Sequence, residues 1–488
     1  MLINTLNETV LEAESAFNIY SKYSGKQKAV FLKAIADEIE ALGNDLITTT
    51  MAETNLPEAR LLGERGRTCS QLRMFAELLE EGSWVEVRID TALPNRQPLP
   101  RPDIRKMLQP IGPVAVFAAS NFPFAFSTAG GDTASALAAG CPVVMKGHSG
   151  HIKTSEMVAT AIAKAAEKTG MPKGVFSLVI GPGAEVGKAL VEHPAIKAVG
   201  FTGSYGGGMA LFHLANARKE PIPVFSEMGS INPVILMPEK LKNEAETVAK
   251  LYAGSITQGV GQFCTNPGLL IAIDSPDLNN FIKTLATEIE KIAPAPMLNK
   301  GIYANFVKMR ELAISQQSVD TEAISQIPTS AELQGIPTVA SVLGEEFLKN
   351  TTLHQEVFGP YSLIVKCKNL AEIEEIISHL EGQLTATFMA TEEELVSNPT
   401  IVEALRQKCG RLLFNGVPTG VEVSSAMHHG GPFPASTDGR FTSVGPDSIK
   451  RFVRPASYQS FPDALLPDEL KSSNPLNIWR LIDNKMEK

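Results

Sequence analysis

The sequence predicts an α/β protein made of two doubly wound parallel-sheet domains, with an extended arm outside them. Its 488 residues exceed the ~250–300 residues at which a single core stops growing, so two large domains are expected. Hydrophobic residues make up 44% of the chain and charged residues 20%, which is typical of a folded protein. From Lys106 onward, short apolar runs alternate with helical patterns. This alternation indicates parallel strands joined by helices.

The first domain, residues 1–229, contains five predicted strands. They are expected at residues 114–119, 142–146, 175–180, 197–203 and 222–229. The helices between them are expected at residues 133–140, 154–170, 184–193 and 209–219. Right-handed crossovers would place these helices on both faces of the sheet.

The alternation begins again in a second domain, residues 230–450. Strands are expected at residues 233–237, 269–273, 362–366, 385–390 and 411–415, and the first helix at 242–257. In sheets of this kind, ligands bind at the carboxyl ends of the strands. We therefore expect a cleft between the two domains.

Two segments fit neither sheet and are predicted to be arms. Residues 85–110 are proline-rich and extended, and residues 451–488 are irregular but apolar. Apolar arms outside a core often pack on another subunit, which favours a homodimer or homotetramer. The alternative is that the arms wrap around their own domain.

Composition argues against several classes of function. Lys+Arg 44 against Asp+Glu 53 gives a net charge of −9, which offers no broad basic surface for nucleic acid. The N-terminus lacks the pattern of a signal peptide, and no window approaches the ~18 apolar residues of a membrane span. We expect a cytoplasmic protein with no membrane or nucleic-acid partner.

The cysteines and histidines predict free thiols and no metal site. The five cysteines are widely spaced and odd in number, which suits neither disulfides nor paired zinc ligands. The eight histidines form two close groups, at 148/151 and 428/429, without cysteine or carboxylate at ligand spacing.

Polar side chains follow two neighbouring strands of the first domain. Asn121 comes after the strand at 114–119, where its amide can donate to a developing oxyanion. Lys146 ends the next strand, where its ammonium suits the hydroxyls or phosphate of a cofactor. The alternatives are an Asn-x-Pro turn and a solvated strand-end lysine.

A glycine-rich turn, FTGSYGGG (201–208), joins a strand to a helix. Backbone N–H groups and the positive helix end can hold a phosphate there, which makes Gly203, Ser204 and Gly208 candidates. The turn lacks the GxGxxG pattern, and glycine-rich turns also arise for purely steric reasons.

Two glutamates are flanked by glycine and apolar residues. Glu227 ends a strand beside Gly229, and Glu356 precedes Phe358 by two residues. Partial desolvation of such carboxyl groups raises their pKa and favours base or hydrogen-bonding roles. Either residue can also be an ordinary loop acid.

Cys264 lies in the turn GQFCTNPG (261–268), between a helix and an apolar strand. A cysteine with a pKa of about 8.5 is only a few per cent thiolate at pH 7, yet the thiolate is a strong nucleophile. The turn can expose this sulfur at a helix end. The alternative is a buried packing residue.

Six of these motifs occur in the order and approximate spacing of the aldehyde dehydrogenase superfamily, which the sequence resembles over nearly its whole length. They are Asn121, Lys146, FTGS at 201–204, Glu227 before MGSINP, GQxC at Cys264 and QEVFGP at Glu356. The resemblance implies a cofactor-binding domain at 1–229 and a catalytic domain at 230–450.

The resemblance also implies a role for each residue. Cys264 would attack the aldehyde, and the thiohemiacetal oxygen would accept hydrogen bonds from Asn121 and the Cys264 N–H. Glu227 would activate the water that hydrolyses the thioester. Lys146 and Glu356 would hold cofactor ribose hydroxyls. In the loop MHHGGPFPAST (427–437), one histidine, here taken as His429, would be a further base near the thiol.

Four longer segments narrow the resemblance to one subgroup of this family. Their sequences resemble the NADP-dependent 2,5-dioxopentanoate dehydrogenases and their fatty-aldehyde-oxidising relatives, and they lie at residues 119–151, 261–268, 426–437 and 451–459. Ser149 stands three residues after Lys146, where NAD-preferring members usually carry glutamate. Serine does not repel a 2′-phosphate, so NADP is the expected cofactor. The resemblance favours 2,5-dioxopentanoate as the substrate and 2-oxoglutarate as the product.

The residues themselves leave the substrate open. Arg65 and Arg67 are candidates to bind a carboxylate, because arginine presents a planar bidentate fork; a solvated arginine pair is the alternative. Phe126 and its neighbouring phenylalanines can line an apolar tunnel that suits a fatty aldehyde instead.

Two other functions on the same scaffold are disfavoured. A CoA-acylating relative would normally lack Glu227. A catalytically silent structural relative would have lost the Cys264 thiol or the Asn121 donor. All three residues are present.

Overall fold

The computed structural model describes residues 2–488, with side chains described from residue 5 onward. The helices are α1 (Leu2–Tyr20), α2 (Gly25–Ala41), α3 (Gly43–Thr54), α4 (Glu58–Glu81), α5 (Gly131–Ala139), α6 (Ile152–Thr169), α7 (Gly183–Glu192), α8 (Tyr205–Asn216), α9 (Pro238–Thr257), α10 (Pro276–Lys291), α11 (Lys300–Ile314), α12 (Gly344–Lys349), α13 (Leu370–His379), α14 (Glu392–Ser397) and α15 (Pro399–Arg406). The strands are β1 (Arg88–Asp90), β2 (Ile104–Pro110), β3 (Val114–Phe117), β4 (Val143–Lys146), β5 (Phe176–Val179), β6 (Ala198–Thr202), β7 (Val224–Glu227), β8 (Val234–Leu236), β9 (Leu269–Ile273), β10 (Ala295–Pro296), β11 (Asp320–Ile324), β12 (Gln334–Gly335), β13 (Thr338–Leu343), β14 (Tyr361–Cys367), β15 (Gln383–Met389), β16 (Cys409–Phe414), β17 (Val453–Gln459), β18 (Arg480–Ile482) and β19 (Lys485–Glu487).

The first large sheet has five parallel strands in the order β5-β4-β3-β6-β7. Helices α2, α4, α5 and α6 contribute to the core on one face, and α1, α7 and α8 to the core on the other. The predicted doubly wound α/β arrangement is confirmed here. Because the chain leaves β3 in both directions across the sheet, the carboxyl ends of β3, β4, β6 and β7 border the crevice where ligands bind in such sheets.

The second large sheet has seven strands in the order β11-β13-β14-β9-β8-β15-β16. Six are parallel, and β11 pairs antiparallel with β13 at one edge. The sequence pattern predicted neither β11 nor β13. Two hydrophobic cores cover the faces of this sheet, one of them built with α9 and α10.

Helix α4 connects the N-terminal helices to the site. It runs for 24 residues and ends at Gly82, where φ is 84°. A Cβ on Gly82 would lie 2.5 Å from the Ile478 side chain, so this helix end requires glycine for both conformation and space.

The two predicted arms pair with each other in a third, smaller sheet. Its order is β17-β2-β1-β18-β19, with β17 antiparallel to β2 and β18 parallel to β1. A separate small core lies beneath it, formed by Val85, Val87, Ile89, Met107, Leu466, Leu470 and Ile478. A role of this sheet in assembly stays a prediction. None of the described helices is long and apolar enough to cross a membrane.

After β16 the chain returns to the first sheet. Ser436 forms a bridge with Glu227 of β7, and the Thr437 N–H donates to the Ser226 carbonyl at 3.1 Å. Arg451 and Asp132 form a buried ion pair at 2.7 Å. Residues 436–451 therefore contact the first sheet and α5, while the division into a cofactor-binding domain at 1–229 and a catalytic domain at 230–450 stays a prediction.

Candidate active site

A cleft with a volume of about 150 Å³ lies where the carboxyl ends of the first sheet face the Cys264 turn. Its lining includes eight of the predicted site residues: Asn121, Phe126, Gly203, Ser204, Glu227, Cys264, Glu356 and Phe358. These residues come from segments far apart in sequence, and the two large sheets bring them together.

Cys264 is held in a tight turn between α9 and β9. The backbone at Gly261 is left-handed, with φ of 63°. A Cβ there would lie 2.2 Å from the Gly359 carbonyl oxygen, so the turn requires glycine. Asn232 Nδ2 donates to the Cys264 carbonyl at 2.9 Å and fixes the turn. The cysteine is free and partly buried.

His429 lies between Cys264 and Glu227. Its Nε2 is 3.6 Å from Cys264 Sγ, in hydrogen-bonding geometry, and 3.0 Å from Glu227 Oε1. Ser443 Oγ donates to Glu227 Oε2 at 2.6 Å. Apart from this contact with His429, Glu227 Oε1 makes no hydrogen bond of ordinary geometry among the described residues. A base thus adjoins the thiol, and one carboxylate oxygen beside it remains available to accept a proton.

Burial and charge set opposite protonation states for Cys264 and Glu227. Burial and the negative charge of Glu227 raise the pKa of the Cys264 thiol well above its ordinary value. Burial also acts to raise the pKa of Glu227, but attraction to His429 and the hydrogen bond from Ser443 outweigh it and lower the pKa. Cys264 is therefore a thiol at neutral pH and needs a proton acceptor, whereas Glu227 is ionised.

Asn121 follows β3 and is fixed on both sides. Its Nδ2 donates to the Gln262 carbonyl at 3.1 Å. Arg60 of α4 donates to the Asn121 carbonyl at 2.7 Å. The Arg60 guanidinium lies between the rings of Phe122 and Phe263, 4.6 and 4.7 Å from their centres. This cation–π pair holds the loop beside the nucleophile.

Glu64 supports the same loop from one helical turn further along α4. Its Oε1 accepts from the backbone N–H groups of Phe124 and Ala125 at 2.8 and 3.0 Å. Its Oε2 is 3.7 Å from Arg60 Nη2. Because Glu64 is buried, these contacts offset the cost of its charge.

Lys146 and Ser149 lie at and just beyond the carboxyl end of β4. Lys146 is 9% exposed, and burial lowers its pKa. Its Nζ has no hydrogen-bond or ion-pair partner among the described residues. Ser149 is exposed. A buried cation without an acidic partner fits hydroxyl or phosphate oxygens.

The glycine-rich turn between β6 and α8 combines a helix cap with close packing. Ser204 caps α8 by accepting from the backbone N–H three residues on, at 3.3 Å. A Cβ on Gly208 would lie 2.6 Å from Met228 Sδ, so glycine allows α8 to approach β7. The Gly203 N–H donates to the Glu227 carbonyl at 3.1 Å and the Gly207 N–H donates to Ser204, so the N–H groups of Tyr205 and Gly206 are the ones left for a ligand.

Glu356 and Phe358 line the cleft opposite the first sheet. A Cβ on Gly229 would lie 2.6 Å from Glu356 Oε2, so glycine leaves room for the carboxyl group. Burial raises the pKa of Glu356 to about 7, against the effect of a hydrogen bond from the Ser230 backbone. Near neutral pH this group can accept from, or donate to, a hydroxyl group of a ligand.

The two candidate arginines lie in different surroundings. Arg65 Nη1 donates to the Gly43 carbonyl at 2.7 Å, which joins α4 to α3 and keeps Arg65 away from the cleft. Arg67 lies over the Phe126 ring at 5.5 Å, and its charge interacts with the Cys264 thiol. Arg67 Nε and Nη2 are buried without a hydrogen-bond partner. Of these two arginines, Arg67 therefore remains the candidate to bind a substrate carboxylate.

Sequence reasoning missed several residues that support the site: Arg60, Glu64, Arg411 and Ser443. Arg60, Glu64 and Arg67 follow the i, i+4, i+7 spacing of one helix face, so a polar face was visible in the sequence. Its position against the Asn121 loop was not visible. Arg411 donates to the Pro418 and Gly420 carbonyls at 2.8 and 3.0 Å.

Known proteins share this architecture and sequence. The model of the aldehyde dehydrogenase family matches residues 4–456. α-Ketoglutaric semialdehyde dehydrogenase 2 of Azospirillum brasilense is 51% identical over 479 residues, which cover 97% of this chain and 90% of that protein. α-Ketoglutaric semialdehyde dehydrogenase of Acinetobacter baylyi is 48% identical over 485 residues, covering 98% and 91%.

Solved structures show the same fold at low identity. 1-Pyrroline-5-carboxylate dehydrogenase from Thermus, with bound NAD, has a TM-score of 0.77 and 20% identity, covering 93% of this chain and 85% of that one. Betaine aldehyde dehydrogenase from Staphylococcus aureus, in complex with NAD+, has a TM-score of 0.78 and 18% identity, covering 94% and 88%. The motifs, the fold and these similarities agree, and the chain belongs to the aldehyde dehydrogenase family.

Proposed function

We propose that this aldehyde dehydrogenase oxidises 2,5-dioxopentanoate to 2-oxoglutarate, with NADP as the oxidant and water as the second substrate. The two relatives that are 51% and 48% identical carry the name α-ketoglutaric semialdehyde dehydrogenase, which supports this aldehyde. The structural observation that carries the proposal is Arg67, whose unpartnered guanidinium edge lies near the thiol. A substrate carboxylate would satisfy it.

The first step uses Cys264, His429 and Asn121. Cys264 Sγ attacks the aldehyde carbon, and the thiol proton passes to His429 Nε2, 3.6 Å away. The developing oxyanion accepts hydrogen bonds from Asn121 Nδ2 and from the Cys264 backbone N–H. Since the pKa of the thiol is raised, the nearby imidazole is what makes attack possible at neutral pH.

The second step uses Glu227. A bound NADP would supply the hydride acceptor, and the thiohemiacetal carbon, on losing its hydride, would become a thioester held on Cys264. Glu227 Oε1, which lies 3.0 Å from His429 Nε2, takes a proton from water, and that water attacks the thioester. Ser443 holds the other carboxylate oxygen at 2.6 Å. Cleavage of the C–S bond releases the acid and restores the thiol.

The side chains at the cofactor side fit an adenine dinucleotide phosphate. Lys146, which has no acidic partner, suits ribose hydroxyls or the 2′-phosphate, and Ser149 can donate to that phosphate. The first turn of α8 after Ser204 suits the pyrophosphate. Glu356 suits the hydroxyls of the nicotinamide ribose.

A second candidate substrate is a fatty aldehyde, because aromatic side chains surround the approach to Cys264. Phe122 packs against Phe126 at 5.3 Å and against Phe263 at 5.6 Å between ring centres. The test compares kcat/KM for 2,5-dioxopentanoate, succinic semialdehyde, hexanal and decanal. We expect the dioxo acid to be preferred; a tenfold preference for decanal, about 1.4 kcal/mol of transition-state free energy, would favour the fatty-aldehyde function.

We also propose a cytoplasmic homodimer or homotetramer. The small sheet and the segment that leads to it expose large apolar side chains: Phe461, Leu465, Trp479 and Met486. Exposed apolar residues on an arm support contact with a second copy. Light scattering of the purified protein measures the subunit number.

A further inference from the structure

Three ligand atoms of different chemistry meet in the cleft. Cys264 Sγ, His429 Nε2 and Glu227 Oε1 all lie within 4.8 Å of one another. The sulfur–nitrogen distance is 3.6 Å and the nitrogen–oxygen distance is 3.0 Å. Around a tetrahedral zinc ion with ordinary bond lengths, these distances are about 3.6 and about 3.4 Å. Two of the three distances are therefore close to those of zinc ligands, and the third, from sulfur to oxygen, lies within 4.8 Å against about 3.6 Å around such an ion.

Burial makes the cluster suited to a cation. Glu227 is 4% exposed and His429 is 1% exposed. Glu227 Oε1 is buried and has His429 Nε2 as its neighbour at 3.0 Å, and a cation bound between the two atoms would stabilise the carboxylate charge. Thiolate, imidazole and carboxylate are the three side-chain ligand types of zinc. Cys264 and Glu227 line the cleft, so an ion can enter and keep a water molecule as its fourth ligand.

We propose that these three side chains form a reversible zinc-binding site, at which Zn²⁺ inhibits the enzyme. The Cys264 S–H bond breaks, an S–Zn bond forms, and the proton passes to solvent. His429 coordinates through the Nε2 lone pair and keeps its proton on Nδ1, and Glu227 Oε1 completes the protein ligands. The metal occupies the sulfur that would attack the aldehyde, so inhibition is competitive with aldehyde. Metal binding itself does not depend on which aldehyde is oxidised.

The binding test uses metal alone on the purified enzyme without cofactor. Cd²⁺, a softer substitute for Zn²⁺, is expected to produce the ultraviolet absorbance of a cadmium–thiolate bond. Zn²⁺ is expected to displace it and to slow iodoacetamide labelling of Cys264 at least about tenfold, with full reversal by EDTA. Mg²⁺ should do neither, because it prefers oxygen ligands. Absence of both the absorbance and the protection would show that the proposal is wrong.

Variants identify the ligands. Cys264→Ser is expected to remove the cadmium–thiolate absorbance, and His429→Gln to weaken Zn²⁺ binding at least about tenfold. His428→Gln is the matched control, since this neighbouring, half-buried histidine is not part of the cluster. Glu227→Gln, expected to weaken binding as well, provides a second ligand test should one histidine variant fold poorly. Equal Zn²⁺ affinity of His429→Gln and His428→Gln would overturn the assignment.

Discussion

Two groups of polar side chains lie at or near the cleft, and they differ in whether their polar atoms have partners. His429 Nε2 lies 3.6 Å from Cys264 Sγ and 3.0 Å from Glu227 Oε1. Lys146 and the Arg67 Nε and Nη2 atoms have no hydrogen-bond partner among the described residues. The first group is arranged for proton transfer between its members. The second group keeps donor atoms free for a ligand, although the charge of Arg67 also interacts with Glu64 and Glu227.

The difference has an energetic reason. A buried charge without a partner destabilises the folded state, so it is tolerated where ligand binding compensates for it. Paired groups can instead be tuned against each other, as the opposite pKa shifts of Cys264 and Glu227 show. We therefore expect substitutions in the paired group to change kcat, and substitutions in the unpaired group to change KM or ligand preference.

Cys264→Ala should give the largest effect. Without the thiol no covalent intermediate forms, and the loss in kcat/KM is expected to be on the order of 10⁴-fold or more. NADP binding, measured by fluorescence titration, should be nearly unchanged because the cofactor residues lie elsewhere in the cleft. Cys409→Ala is the matched control, since Cys409 is the other partly buried cysteine and lies in β16. Turnover of Cys264→Ala near that of the control would refute the mechanism.

Glu227→Gln should block the second step and leave the first. An amide cannot take the proton from water, and loss of a general base typically costs about 10²–10⁴-fold. A rapid burst of NADPH, close to one per site, should be followed by slow turnover, and mass spectrometry should detect the acyl group on Cys264. Steady turnover without a burst would indicate that hydrolysis does not depend on this carboxylate.

Local patterns in the sequence predicted much of the fold and several of the residues around Cys264. The apolar run at 142–146 became β4, Val143–Lys146, and the motif turns placed Asn121, Glu227 and Cys264 at strand and helix ends. These signals are local, because strand ends and glycine turns are encoded by adjacent residues.

Contacts between distant segments could not be predicted in the same way. Arg60 binds the Asn121 carbonyl and Ser443 binds Glu227, yet no short motif surrounds either residue. Arg65 and Arg67 looked equivalent in sequence. Helix packing distinguishes them, since Gly43 accepts from Arg65 while Arg67 remains unpaired at Nε and Nη2.

Arg67→Met should weaken the preference for 2,5-dioxopentanoate over hexanal, with an effect of intermediate size. Loss of a charge-assisted contact to the substrate carboxylate is expected to lower kcat/KM for 2,5-dioxopentanoate about 10–100-fold, mainly through KM. Oxidation of hexanal, which lacks a carboxylate, should change little. Arg65→Met, two residues away on α4, is the control and should leave the ratio between the two substrates unchanged. An equal loss for both aldehydes would assign Arg67 a structural role only.

Ser149→Glu should have a smaller effect, on cofactor preference. A carboxylate three residues after Lys146 would repel a 2′-phosphate and accept from a 2′-hydroxyl. The ratio of kcat/KM for NADP to that for NAD is expected to fall about tenfold, or about 1.4 kcal/mol. Ser149→Gln, similar in size but neutral, separates charge from bulk. If the wild-type enzyme already prefers NAD, the proposed cofactor is wrong.

Glu356→Gln should give the smallest effect. It should appear as a change in how the Tm depends on pH. Burial raises the pKa of Glu356 to about 7, above its value of about 4.3 in an unfolded chain. Between these values the folded protein binds the proton more tightly, so this group favours folding at low pH. That contribution is lost as pH rises towards 7. Without cofactor, the Tm of Glu356→Gln relative to wild type should therefore be about 1–3 °C higher at pH 8 than at pH 5.

Cofactor should reverse this difference, because the ionised carboxylate can then accept from ribose hydroxyls. Wild-type enzyme at pH 8 is expected to gain more in Tm from saturating NADP than Glu356→Gln does. The exposed Glu332→Gln serves as the control and should follow wild type at both pH values. If the Tm difference between Glu356→Gln and wild type is the same at pH 5 and pH 8, the pKa of Glu356 is not raised by burial. Glu356 would then be a structural residue of the cleft and not a ligand-binding one.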